Sequence, residues 1–278
     1  MFRTMTKGKI LFVNQEVTPF SPESESALLG RQMPAYMQEH DREIRVFMPR
    51  FSNISDRKHQ LHEVIRLSGM NIVVNSCDRQ LIIKVGSIPS ARMQVYFIDN
   101  EEYFAKHGGF YDNDGNFYTD NDERLMFFGK GALEAVRKLA WQPHIVHYSG
   151  WFTSLIPFYL RRINKETSFF NGTKTICSIG NDAFSGQISA DIEKKLKTDK
   201  ATTKDMTLFH DLNYVNLMKA AISYANGVVV TSPDANPELV NFAKENKKNV
   251  IEYNSDKNEF FSQINKLYDT IIGNNINN

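Results

Sequence analysis

Cysteine is nearly absent. Cys77 and Cys177 are the only two in 278 residues, and they form no C-x-x-C pair. A disulfide-stapled scaffold, a thiolate metal site and a dithiol redox motif are therefore not expected. Long apolar runs are lacking as well. Stretches such as Ile10–Val13 fall far short of the roughly 20 residues that cross a bilayer, and the basic segment 1–9 has no apolar core of signal-peptide type. Nor is there an excess of charge of one sign. Lys and Arg total 33 against 32 for Asp and Glu, a formal charge of +1, which argues against binding nucleic acid or a membrane surface through bulk electrostatics. The chain has no G-x-G-x-x-G after its first strand, no P-loop, no H-E-x-x-H and no G-x-S-x-G. The expectation is a cytoplasmic protein with no nucleic-acid or membrane partner and no cofactor. In that compartment the sequons at Asn53 and Asn171 carry no weight.

What is present is an ordinary globular composition, 41% hydrophobic and 23% charged, which excludes wholesale disorder. Lys9–Val17 reads as a buried strand and Ser24–His40 as a helix with a ragged apolar stripe. Glu43–Phe51 reads as a second strand. Leu61–Asn75 and Gln80–Asp99 alternate loosely and are broken at Ser68-Gly69 and Pro89-Ser90, which predicts two hairpins. Asp122–Ala140 is the clearest amphipathic helix. After Pro143 the order becomes regular: strands at His144–Tyr148, Lys174–Ile179, Gly227–Ser232 and Asn249–Tyr253 alternate with helices at Thr153–Ile163, Thr207–Ala225, Pro237–Lys247 and Asn258–Ile272. Such alternation predicts an α/β, doubly wound, mainly parallel sheet, here with β-hairpin insertions. The polar stretch Asp191–Asp205 reads as an inserted surface loop. No linker is visible, so residues 1–278 are expected to form one domain, with 254–278 as a closing helix and a disordered Asn-rich tail after Gly273. In the closing helix Phe260, Phe261, Ile264, Leu267, Tyr268 and Ile271 make one apolar stripe.

Residues of possible chemical use are few. His144 and His147 stand three apart on a strand, which places them on opposite faces and favours packed or hydrogen-bonded roles over a metal pair. Asp112, Asp114, Asp120, Asp122 and Glu123 cluster among Gly and Asn without calcium-loop spacing, as a solvated turn would. Trp151 and Phe152, just after a strand end, suit a sugar-stacking site and a plain aromatic core equally well.

Longer stretches are more specific. Glu16, Pro19 and Pro34 keep the spacing of the opening strand, Glu, Pro and Leu-Pro of the ADP-glucose-dependent glycogen and starch synthases. Lys106-His107-Gly108-Gly109-Phe110-Tyr111 resembles that family's R-x-G-G-L-Y, and Tyr118–Leu125 its Y-x-D-N-x-x-R-F. Trp141–Thr153 is similar to W-x-P-D-I-V-H-x-x-D-W-H-T, Ser178–Gly186 to T-I-H-N-L-A-F-Q-G, and Asn216–Pro233 to N-x-x-K-A-A-I-x-Y-A-D-x-V-x-T-V-S-P. The resemblance runs over roughly residues 9–240. It implies the N-terminal, acceptor-side half of a GT-B glycosyltransferase, a Rossmann-like unit.

The departures bear on function. Aligned from Glu16 to Pro34, the family's phosphate-contacting Lys falls on Pro22 and its two glycines on Ser24 and Glu25. D-W-H becomes Gly150-Trp151-Phe152, and H-N becomes Gly180-Asn181. A lost charge-assisted phosphate contact is worth roughly 1.5–3 kcal/mol. Asn249–Asn278 shows no counterpart of the family's second-domain K-x-G-G-L or its glutamate. What the resemblance then implies is a non-catalytic binding or regulatory relative in glycogen metabolism, with an α-glucan or a full-length glycogen synthase as partner and without tight ADP-glucose binding. The alternatives are a glucosyltransferase working only with a separate C-terminal half, and a glucan-binding domain. Glu16, Tyr111, Trp151 and Asn181 are the retained candidates for substrate binding, with no catalytic residue and no metal. Glu16, Trp151 and Asn181 suit a scaffold role equally well.

Overall fold

A computed structural model describes residues 8–273. The chain opens with β1 (Lys9–Asn14), α1 (Glu25–Glu39), β2 (Glu43–Pro49) and the single turn α2 (Asp56–His59). Strands β3 (His62–Glu63), β4 (Met70–Val74), β5 (Cys77–Ile88) and β6 (Met93–Asp99) follow, then α3 (Asn121–Lys138), β7 (Ile145–Ser149), α4 (Ile156–Thr167) and β8 (Lys174–Ile179). Next come α5 (Ile192–Thr198), α6 (Thr203–Met206), α7 (Tyr214–Tyr224), β9 (Gly227–Val230), α8 (Pro237–Glu245), β10 (Asn249–Ile251) and α9 (Lys257–Gly273). The strands make one sheet in the order β10-β9-β8-β7-β1-β2-β6-β5-β3, with β4 also on β5. Pairing is parallel from β10 to β6 and antiparallel where β5 meets β6, β3 and β4. The first strand lies in the middle.

Parallel strands buried on both faces need continuous apolar runs, and β1 supplies one: Ile10, Leu11, Phe12 and Val13 are all buried. Neighbouring residues of β7 show the two faces. The Tyr148 hydroxyl donates to the Ala221 carbonyl of α7, while His147 turns the other way onto Tyr268 of α9. Helices therefore cover both sides, as the alternation predicts.

Helix α1 crosses the end of β1 at very short range. A Cβ on Gly30 would lie 2.4 Å from the Glu16 carbonyl oxygen, so only glycine fits. Pro34, four residues on, has no N–H for the Gly30 carbonyl. The Asn14 side-chain amide donates to that carbonyl instead, at 3.2 Å. Ser24 caps the helix by accepting from the Ala27 N–H at 3.0 Å.

Three expectations are corrected. The first hairpin turns at Asn75-Ser76, not at Ser68-Gly69. Both turn residues have positive φ, 50° and 61°, the twist a two-residue hairpin needs, while Ser68-Gly69 only separates β3 from β4. The segment 191–205 is no plain loop. It carries α5, where Ile192 and Leu196 are buried one turn apart and Lys195 reaches Asp122 at 2.6 Å and Glu123 at 2.9 Å. Helix α7 begins at Tyr214 because the Asn213 side chain caps it; Gln187 bridges to Asn213 instead of 207–213 being helical. The Asn-rich tail after Gly273 lies outside the described residues.

Helix α9 docks as the stripe predicts, with Phe260, Phe261, Ile264, Leu267, Tyr268 and Ile271 all buried. Arg42 adds hydrogen bonds to Asn265 and Asp269. Full burial of an apolar side chain contributes roughly 1.5–3 kcal/mol. A chain cut after Tyr253 is therefore expected to be insoluble or strongly destabilised, and an unchanged melting temperature would refute the docking role.

The α9 contact also carries a pH signature. His147 has one ring nitrogen on the Tyr268 hydroxyl and the other on the Ser178 hydroxyl. Burial depresses its pKa to about 3. The unfolded chain takes up this proton near pH 6.5, so between pH 6.5 and 3 the unfolded state binds more protons and stability falls as pH falls. The expected slope from this group is about 1.4 kcal/mol per pH unit. Urea titrations of His147→Gln should show a shallower acid slope than the parent chain, and equal slopes would sink the assignment.

Candidate functional site

At the C-terminal edge of the parallel strands, where open α/β sheets bind ligands, lies a crevice of about 370 Å³. Glu16, Tyr111, Trp151 and Asn181 all line it, together with Gln15, Ser24, Glu25, Phe110, Asp182, Phe184 and Asp234. Glu16 follows β1, Trp151 follows β7, Asn181 follows β8, and Tyr111 comes from the long connection between β6 and α3.

The α1 side is closed by its own groups. The Ser24 hydroxyl donates to Glu16 Oε2 at 2.9 Å while its oxygen accepts from the Ala27 N–H. A helix N-terminus is a ready anion site when its N–H groups are open. Here the cap serine and the Glu16 carboxylate stand at that position. The charge of Glu25 is not left bare: the Lys257 ammonium, at the start of α9, sits 3.7 Å from its Oε1. Among the described residues, Glu16, Asp182 and Asp234 are the carboxylates of the crevice that form no ion pair.

The β7 side turns on a glycine. Gly150 has φ 90°, and a Cβ there would lie 2.6 Å from Gln15 Cβ. Gln15 Oε1 accepts from the Phe152 N–H at 3.1 Å, so its side chain fills the space an acidic residue at 150 would need. Phe152 points into an aromatic core with Phe51, Phe104, Phe110 and Phe128.

Trp151 is only 2% exposed. Its ring packs against Phe110 at 4.7 Å, Phe184 at 4.6 Å and Phe117 at 5.6 Å. It backs the crevice wall instead of forming an open stacking face. Tyr111, 38% exposed, is the open aromatic of the site.

Asp182 was not singled out by sequence reasoning. Its Oδ2 accepts from the Trp151 N–H at 2.8 Å and its Oδ1 from the Tyr214 hydroxyl at 3.1 Å. The residue is partly exposed, yet burial of its carboxyl group raises its pKa, the two donors oppose that rise, and the nearby Glu16 adds to it. The signal was available, because Asp182 stands where the motif T-I-H-N-L-A-F-Q-G has its apolar leucine. Among the described residues no group of three or more His, Cys, Asp or Glu side chains is placed to hold a metal ion. No helix among them is long and apolar enough to cross a membrane. His144 accepts from the Lys9 N–H through Nδ1, and Asp112 accepts from the Asp114 and Asn116 N–H groups within its own turn.

Comparison with known proteins fits this geometry. The sequence matches the family described as starch synthase catalytic domain over residues 9–264. It is 34% identical over 225 residues to a glycogen synthase of Chlorobium luteolum, covering 81% of this chain and 45% of that protein. It is 33% identical over 226 residues to a glycogen synthase of Chlorobaculum tepidum, covering 81% and 46%. The chain thus spans about half the length of the curated relatives it matches. In fold it resembles the catalytic domain of starch synthase IV from Arabidopsis thaliana, solved bound to ADP and acarbose, with a TM-score of 0.70, 16% identity, and coverage of 88% of this chain and 51% of that one.

Burial separates two of the aromatics experimentally. Trp151→Ala is expected to cost about 3–5 kcal/mol of stability, as large-to-small core substitutions do, whereas Tyr111→Ala should leave the denaturation midpoint nearly unchanged. Equal losses in chemical denaturation would show that the wall is packed otherwise.

Proposed function

The chain belongs to the family of starch synthase catalytic domains, and on that premise we propose that it is a non-catalytic binding or regulatory relative in α-glucan metabolism whose crevice does not hold a sugar nucleotide. One observation carries this reading: among the described residues Glu16, Asp182 and Asp234 line the crevice without an ion-pair partner, and no Lys, Arg or His lines it. A phosphate charge about 6 Å from one unpaired carboxylate is opposed by about 3 kcal/mol at an effective dielectric of 20. At the α1 N-terminus Ser24 takes the Ala27 N–H, and the Glu16 and Glu25 carboxylates stand beside the N–H groups that remain. Pro22, in the place of the family's lysine, is exposed and carries no charge.

A second reading, binding of neutral α-glucan, is favoured by the aromatic wall. Phe110, Tyr111 and Phe184 line the crevice together with carboxylates and amides. Apolar sugar faces pack on aromatic rings while their hydroxyls donate to carboxylates. A full-length glycogen synthase is the protein partner that the regulatory reading proposes.

Calorimetry with ADP-glucose is expected to show no binding tighter than about 1 mM, which corresponds to about 4 kcal/mol. Micromolar binding of that donor, or transfer of labelled glucose to glycogen by the purified chain, would overturn the non-catalytic reading. Retention on immobilised glycogen that is lost in Tyr111→Ala is the outcome expected of the glucan reading.

A further inference from the structure

Arg124 lies outside the crevice, fully buried in the first turns of α3. All three of its guanidinium nitrogens donate: Nε to the Tyr103 carbonyl at 2.8 Å, Nη1 to Asn121 Oδ1 at 2.6 Å, and Nη2 to the Gly109 carbonyl at 2.8 Å. Among the described residues no carboxylate hydrogen-bonds to it. Its charge is faced instead by the rings of Phe51, Phe104, Tyr118 and Phe152, with centroids 5.5–5.9 Å away. Asn121 extends the clamp, because its Nδ2 donates to the Phe110 carbonyl at 2.9 Å.

A buried cation is costly to desolvate, and here one hydrogen bond from each nitrogen and the Coulombic attraction of nearby Asp120 oppose that cost. The planar fork of arginine is the side chain that can reach two separated carbonyls and an amide at once; a lysine ammonium cannot. The two carbonyls belong to Tyr103 and Gly109, the ends of a seven-residue stretch without regular structure. The next two residues are Phe110 and Tyr111, which line the crevice.

We infer that Arg124, with Asn121, is a positioning residue for the crevice: it staples residues 103–109 so that Phe110 and Tyr111 are presented to ligand. The inference rests on the crevice being the binding site. Burial lowers the Arg124 pKa only to about 10, so the fork stays charged at neutral pH.

The test uses the full chain as Arg124→Lys, which keeps the charge and loses the fork. Asn121→Ala, which removes the bond to Phe110 and the acceptor of Arg124 Nη1 but keeps both bonds from Arg124 to the backbone, is the second variant if the first fails to fold. Hydrogen exchange is followed in 103–111 and in β1 and β7, and maltoheptaose is the calorimetric probe. Exchange in 103–111 should rise about tenfold or more with β1 and β7 unchanged, and maltoheptaose affinity should fall to that of Tyr111→Ala. Unchanged exchange in 103–111, or an equal rise in β1 and β7, would overturn the inference as a merely structural role. So would parent-like maltoheptaose affinity in Asn121→Ala. If the parent chain itself ignores maltoheptaose, the glucan reading fails, and the exchange pattern alone decides the role of Arg124.

Discussion

The crossing of α1 over the end of β1 is the contact on which the site depends. Gly30 permits backbone approach to Glu16, Pro34 frees the Gly30 carbonyl, and Asn14 satisfies it. That geometry determines where the helix starts, and with it that Ser24 meets both Glu16 and the Ala27 N–H. The chemistry of the crevice floor is thus a by-product of a packing requirement.

The opposite wall is governed by burial of aromatics. Trp151, Phe152, Phe110, Phe117 and Phe184 pack ring on ring between the sheet edge and the connection from β6 to α3. This cluster joins segments distant in sequence, and it needs α3 as a second support. Helix α3 in turn is tied to α5 through Asp122, Glu123 and Lys195. The loop insertion, the helix and the crevice wall are therefore mechanically continuous.

Much of this was legible in the residues. The short unbroken apolar runs of β1 and β9, too short for helices, and the apolar stripe of α9 mark their elements. The order of motifs located the crevice. Other features were not legible, each for a physical reason. The hairpin turn at Asn75-Ser76 lacks glycine, and Ser68-Gly69 carries the stronger local turn signal. Helix α5 hides two buried residues in a lysine-rich stretch, where the charge pattern dominates. Trp151 next to a strand end gives no hint from sequence whether its ring faces ligand or core. Asp182 owes its interest to two donors, Trp151 and Tyr214, brought together only by folding.

Gly150 also binds the fate of two positions together. With φ at 90° and Gln15 filling the adjoining space, an aspartate at 150 would meet both backbone strain and a clash. An acid there requires Gln15 to shrink and the turn to refold at the same time, so neither change is favourable alone. The pair behaves as a lock in which each residue holds the other in place.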